Sequence, residues 1–480
     1  LVPTTEAAPT SSLPPDMLSF DGGTPAPQPT ETPVPDTPKV VESQFPLGLR
    51  LRYTITATLD YGWRYLTVEQ EIVIPNTSTE PFSDVVLVVQ PNWQPGVFNL
   101  TQLTWENGES VSGYTLDGIR LRVPLVDPLE PGENLQLSLV YNLSIPPILT
   151  SENFGPNPFG YTSRQTNLTD WYPFVPPYID GQGWLVHNPW YYGEHLVYPV
   201  ADFNVTIQVT NAPSGMVVAA SGLDTGTGDV HHYRLEQARN FVWSVSPEYQ
   251  VLREQIGKTT VLGYAFPFDI VPGEAAFTTT VRALELYNEL FGPYPFDSLT
   301  LIQADFEQGM EYSGLYFLSK AFYNTYDGTS STYLVAIAAH ETAHQWWYGL
   351  VGNDQALEPW LDEAMCTYSE KLFFEKIYPQ SLEWWEYTRI DYYEPTGWVD
   401  NSIYTTTGYR PYRDAVYLNG ARFLSDLRTL VGDEVFFAFL RDYVTQESYK
   451  LVTADQFFAI LREHSDADWN GLLDGYFENR

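Results

Sequence analysis

The sequence predicts a multidomain protein of mixed α and β structure, with an N-terminal β-sandwich-like domain followed by a helix-rich domain. Three observations lead there. The chain has 480 residues, 44% of them hydrophobic, which is enough for more than one buried core. Apolar residues alternate in short runs up to about residue 254, and beyond it they recur at three- and four-residue spacing. Finally, Cys366 is the single cysteine, so no intrachain disulfide can form and the fold must stand on packing or on a metal.

The elements follow in chain order. The first forty residues hold ten Pro and seven Thr and no base before Lys39, a composition that buries too little surface to offset ordering entropy. Residues 1–42 are therefore expected to be a disordered tether, able to reach roughly 130 Å if extended at about 3.1 Å per residue. Residues 43–254 form the expected β domain, with strands at 49–59, 65–74, 84–89, 135–143 and 202–209, broken by Pro, Gly and Asn. Residues 255–480 form the expected helical domain. It has strands near 259–264 and 299–303 and helices at 278–290, 331–350, 359–377, 414–430 and 433–444, with Gly432 as a helix stop.

Charge excludes some partners. Lys and Arg total 24 against 60 Asp and Glu, a net charge of -36, so the average field repels nucleic acid and anionic lipid. No stretch approaches the roughly 18–20 apolar residues that a membrane-spanning helix needs. The start at Leu1 rather than Met carries the expectation that a segment has been removed. With the tether, that suggests a secreted or cell-surface/periplasmic location.

One segment carries the chemistry. Within Ala338-Ala339-His340-Glu341-Thr342-Ala343-His344-Gln345-Trp346 stands an HExxH pattern on an expected helix. His340 and His344 are one turn apart and share a face, where both imidazoles can bind one Zn²⁺, and Glu341 beside them can act as a base. The bland alternative is a pair of satisfied helix histidines. A third ligand argues against that alternative: Glu363 follows His344 after eighteen residues, near the start of the next expected helix. Two His and one Glu leave a fourth position open, the pattern of a hydrolytic zinc, whereas a structural zinc ordinarily takes thiolates.

HExxH-x18-E in the context HETAHQWW and WLDEAMCTY resembles the zinc aminopeptidases of the aminopeptidase N and leukotriene hydrolase family, the gluzincins. Phe291-Gly292-Pro293-Tyr294-Pro295 resembles that family's FGxPYP segment, and Gln308-Gly309-Met310-Glu311-Tyr312 its G-x-M-E-N exopeptidase signature. Val416-Tyr417-Leu418-Asn419-Gly420-Ala421 resembles its VYxKGA. The resemblance extends more weakly over residues 45–480.

This resemblance implies a thermolysin-like α/β catalytic domain and one Zn²⁺ per chain on His340, His344 and Glu363. It implies Glu341 as general base and Tyr417 as hydrogen-bond donor to the oxyanion. Gly309, Met310 and Glu311 then form the substrate-binding segment, with Glu311 pairing the free α-ammonium of a peptide. A Gln or Glu from the β domain shares that duty in the family, and Gln165 is the expected residue. Tyr312, Gln308, Asp362 and Ala364 depart from the family pattern, which leaves side-chain preference open. The chain also lacks room for the C-terminal helical domain of larger members, so a more open site is expected.

The activity implied is hydrolysis of the N-terminal peptide bond. A thermolysin-like endopeptidase is the rival enzyme, and an idle peptide-binding homologue the rival outside catalysis. His187, His195, His231, His232 and His464 lack ligand spacing and read as ordinary polar residues. Asn76, Asn99, Asn142, Asn167 and Asn204 each open an Asn-x-Ser/Thr triplet.

Overall fold

The computed structural model describes residues 49–148, 158–307 and 309–479. The expected tether over 1–42 and Gln308 of the exopeptidase signature lie outside them.

Alternating sequence becomes a one-sided sheet. Leu51–Asp60 and Tyr65–Pro75 pair antiparallel and place every second residue inside, Tyr53 opposite Ile72, Ala57 opposite Val68 and Leu59 opposite Leu66. Four more strands complete a six-stranded sheet in the order Val230–Ala238, Ala201–Thr210, Leu51–Asp60, Tyr65–Pro75, Asn134–Ser144, Phe98–Trp105. Gln70 is the polar residue on the inner face. It is satisfied there, donating to the Pro173 carbonyl at 2.7 Å and accepting from the Tyr141 hydroxyl at 2.9 Å. Smaller sheets of three and four strands adjoin it.

A five-stranded mixed sheet opens the second half, in the order Gln250–Ile256, Thr259–Ala265, Ser298–Ala304, Leu315–Ser319, Met310–Tyr312. Its parallel central strands Ser298–Ala304 and Leu315–Ser319 are buried along their whole length, as strands covered on both faces must be. The expected division at 254/255 falls inside the strand Gln250–Ile256, whose hydrogen bonds to Thr259–Ala265 tie it to this later sheet.

Helix α1 (Ile270–Phe291) covers that sheet, and Tyr287 donates from it to the carbonyls of Ala339 and Ser369. Short helix α2 (Lys320–Asn324) leads to α3 (Tyr333–Ala343), which packs against α4 (Trp360–Ile377). The α3 helix is shorter than the expected 331–350. His344 keeps helical angles, but beyond it the amides of Gly349, Leu350 and Val351 reach back five residues and Tyr348 takes φ 114°, so the chain unwinds. The expected helix 414–430 is also interrupted: Tyr409–Arg413 is α-helical, Asp414–Asn419 is π-helical, and Gly420–Val431 is α-helical again.

One buried cation ties distant segments together. Arg239, on the chain after strand Val230–Ala238, donates to the carbonyls of Tyr348, Tyr198, Leu350 and Lys450. With no carboxylate partner among the described residues, burial pulls its guanidinium down to about 10, and the four carbonyl oxygens make it tolerable.

Candidate active site

Both histidines come from α3, an almost wholly apolar helix whose only charged groups are those of the motif. Glu363 comes from the first turn of α4, where the exposed backbone amides of a helix start favour a carboxylate. His340, His344 and Glu363 are all buried.

Their geometry brings the Glu363 carboxylate to both imidazoles. His340 Nδ1 lies 2.9 Å from Glu370 Oε1, and His344 Nδ1 lies 3.1 Å from the Trp347 carbonyl, so each ring carries its proton on Nδ1 and turns Nε2 the other way. Glu363 Oε2 stands 3.1 Å from His340 Nε2 and 3.6 Å from His344 Nε2. Ligand atoms around a tetrahedral zinc with bonds of about 2.0–2.1 Å are about 3.3 Å apart. Two imidazole lone pairs and a carboxylate oxygen at these separations repel unless a cation joins them, and the set of two nitrogens and one oxygen is that of a catalytic zinc site.

Titration behaviour tells the same story. Burial opposes the charge of Glu363, yet the two histidines outweigh it and hold the carboxyl below its usual range. Burial would lower His340, but Glu363 and Glu370 raise it to about 9. Without a metal the histidines must take up protons to satisfy Glu363, and a divalent cation replaces those protons.

The remaining expected residues converge here. Glu341 is buried and pushed up to about 8, chiefly by burial, and its Oε2 has no partner among the described residues. Tyr417, on the π-helical turn, donates to Glu363 Oε1 at 2.5 Å, and burial followed by Glu363 pushes its phenol well up, so it stays protonated. Gly420 makes that contact possible: a Cβ there would sit 2.4 Å from Ala364 Cβ, so the helix carrying Tyr417 lies against α4 only because Gly420 has none. Gly309 lies against the base, since a Cβ on it would stand 3.2 Å from Glu341 Oε1. Met310 is half-buried on the edge strand, and Glu311 next to it is buried and raised by burial, with Oε1 accepting from Gln355 Nε2 at 3.0 Å. Gln355 also donates to Asp362 at 2.7 Å, so one amide positions both carboxylates.

Gln165 is not at the site. Its amide nitrogen donates to the Tyr249 hydroxyl and the Gln303 carbonyl, and its oxygen accepts from the Asp305 amide, which locks it at a junction of strands. Glu194 stands there instead. It lines the same cavity of about 530 Å³ as Glu311, Glu341, His340, His344, Glu363 and Tyr417. Its Oε2 is buried without a partner among the described residues, and burial, then the Glu311 charge, pushes its carboxyl well up.

Sequence reasoning also passed over Glu370. It follows Glu363 by seven residues, two turns on the same face of α4, a spacing that could have flagged it. Wholly buried, Glu370 accepts from His340, from Arg389 Nε and Nη2 at 2.9 Å each, and from Trp385 Nε1 at 2.8 Å. Cys366 packs behind His344, its Sγ 3.9 Å from the same Trp347 carbonyl, and burial raises its thiol, so it stays neutral.

Comparison with known proteins finds likenesses to M1 metallopeptidases. Residues 275–476 match the Peptidase family M1 domain. Among curated proteins, Aminopeptidase M1 of Arabidopsis thaliana is 26% identical over 223 residues, 43% of this chain and 25% of that protein. Aminopeptidase M1-D of Oryza sativa subsp. japonica is 28% identical over 217 residues, 42% of this chain and 25% of that protein. The chain thus spans about a quarter of the length of these relatives.

Among solved structures, a mutant M1 zinc metallopeptidase from Deinococcus radiodurans superposes with a TM-score of 0.63 at 21% identity, covering 90% of this chain and 94% of that one. The same values hold for a mutant from that organism bound to a Tyr-Ser-Ala substrate. A two-domain M1 zinc metallopeptidase mutant bound to L-tryptophan gives 0.62 at 22%, covering 90% and 95%. These likenesses place the β domain and the helical domain in one known fold.

Proposed function

We propose that this chain is a zinc aminopeptidase that hydrolyses the N-terminal peptide bond of peptides. The observation that carries the reading is the placement of Glu194 and Glu311 in the cavity of the metal donors. Two carboxylates there match a free α-ammonium and fix the scissile bond one residue in. A chain running through the site, or a blocked amine, would leave both carboxylates without a counterion. This disfavours an endopeptidase.

His340, His344 and Glu363 would hold the zinc, and Glu370 and the Trp347 carbonyl fix the two rings so that Nε2 faces it. When bound, the metal supplies Lewis acidity toward the scissile carbonyl and acidifies water. Glu341, with its free Oε2 and an affinity for protons raised by burial, takes the proton of the attacking water and passes it to the leaving amine. Tyr417 donates its hydroxyl to the oxygen that becomes negative in the transition state. A secreted or surface location extends the proposal, supported by the Pro- and Thr-rich composition of residues 1–42.

The test is Glu341→Gln. Turnover of amino-acid arylamides should fall about 10²–10⁴-fold while one zinc per chain remains by elemental analysis. A variant that stays active would remove Glu341 from the mechanism, and a wild-type chain without zinc would favour the idle homologue.

A further inference from the structure

The cavity has a second chemical character beside its carboxylates. Tyr409, Arg413 and Tyr417 recur every four residues and all line it, as do Phe322, Tyr333 and Arg389. The Arg413 guanidinium lies 4.1 Å over the Tyr393 ring, the Tyr393 hydroxyl lies 3.1 Å from that of Tyr333, and Tyr333 stacks on Phe322. These contacts make one continuous aromatic wall edged by guanidinium groups. After burial, the charge acting most on Glu194 is that of Glu311, and those acting most on Glu311 are His344 and Glu363. Cationic and anionic groups thus line one cavity.

Both arginines are half-used. Arg389 turns its Nε and Nη2 toward Glu370, and Arg413 turns the same edge toward Asp414. Each Nη1 has no hydrogen-bond partner among the described residues and is not among the buried unpartnered atoms, so it is open to the cavity or its mouth. Arg389 is committed to positioning Glu370, but Arg413 has no such duty.

We propose that Arg413 binds the C-terminal carboxylate of the substrate, which makes the substrate class di- and tripeptides with both termini free. The proposal rests on the aminopeptidase reading above. Placement fits it: Arg413 and Tyr417 are four residues apart and line the same cavity, and each residue of extended peptide spans about 3.3–3.6 Å. With the scissile carbonyl at the Tyr417 hydroxyl, a carboxylate one or two residues beyond it comes within reach of Nη1. A charge-assisted bond to a planar guanidinium supplies the discrimination.

The experiment compares kcat/KM for Leu-Ala-Ala, its C-terminal amide and leucine 4-nitroanilide on the zinc-loaded full chain, in wild type, Arg413→Met and Arg413→Lys. The free acid should exceed the amide about tenfold in wild type, the ratio should fall to about one in Arg413→Met, and Arg413→Lys should retain part of it. An acid-to-amide ratio of about one in wild type, which needs no variant to measure, would overturn the proposal, as would an Arg413→Met ratio equal to that of wild type. Anilide hydrolysis with no acid preference would overturn this proposal alone, whereas no hydrolysis of any of the three would overturn the aminopeptidase reading with it.

Discussion

Glu370 offers the sharpest test of how the metal site is held. Its two oxygens accept four hydrogen bonds, from His340 Nδ1, Arg389 Nε, Arg389 Nη2 and Trp385 Nε1, and it is wholly buried. Burial opposes its charge, but Arg389 and His340 outweigh burial and keep it ionised. Glu370→Gln retains shape, removes the counterion of a buried guanidinium and replaces one acceptor with an amide donor that must face another donor.

Two effects should follow. Removing one partner of a buried ion pair costs about 3–5 kcal/mol, read in urea unfolding of the metal-free protein. Losing the carboxylate behind a ligating histidine weakens zinc about 10–100-fold, read by competition with a chelator. The double variant Glu370→Leu with Arg389→Met should recover much of the stability but not the zinc affinity, because the second carbon chain packs while His340 still lacks an orienting acceptor. Zinc affinity within about twofold of wild type in Glu370→Gln would refute the positioning argument.

Two other outcomes are expected. Gly420→Ala puts a Cβ 2.4 Å from Ala364 Cβ, so it should destabilise by about 1–3 kcal/mol despite the helix preference of Ala, and Ala364→Gly in the same chain should relieve it; an unchanged unfolding midpoint would contradict the close approach. His195, lowered to about 4 by burial and then by His187, binds its proton later than the unfolded chain does as pH falls. The unfolded state therefore holds more protons between about pH 6.5 and 4, and stability should drop across that window by up to about 3 kcal/mol more in wild type than in His195→Gln, measured by unfolding at each pH. Equal pH slopes for the two proteins would remove His195 from the account.

Much of this was legible because it is local. HExxH spacing fixes two rings on one helical face wherever that helix lies, and His344 keeps helical angles even though α3 ends at Ala343. Strand periodicity located Leu51–Asp60 and Tyr65–Pro75 because one face of each is buried. What escaped is tertiary. Glu194 sits in an aromatic loop with no motif, and only the fold brings it to Glu311. Gln165 is the expected β-domain amide by resemblance, yet it is consumed between strands. Apolar spacing cannot distinguish α from π, so the turn that carries Tyr417 read as continuous helix. The stop of α3 was hidden for the same reason, since Trp346, Trp347 and Leu350 continue an apolar pattern while the backbone leaves the helix.

The claim that Glu194 and Glu311 receive a free amine decides between exo- and endopeptidase most directly. The measurement is kcat/KM of the zinc-loaded chain on one peptide with a free N-terminus and on the same peptide N-acetylated. The account predicts that acetylation lowers kcat/KM by about 10² or more, since both carboxylates then lose their counterion. Cleavage of the two peptides at equal efficiency, or at internal bonds, would contradict it.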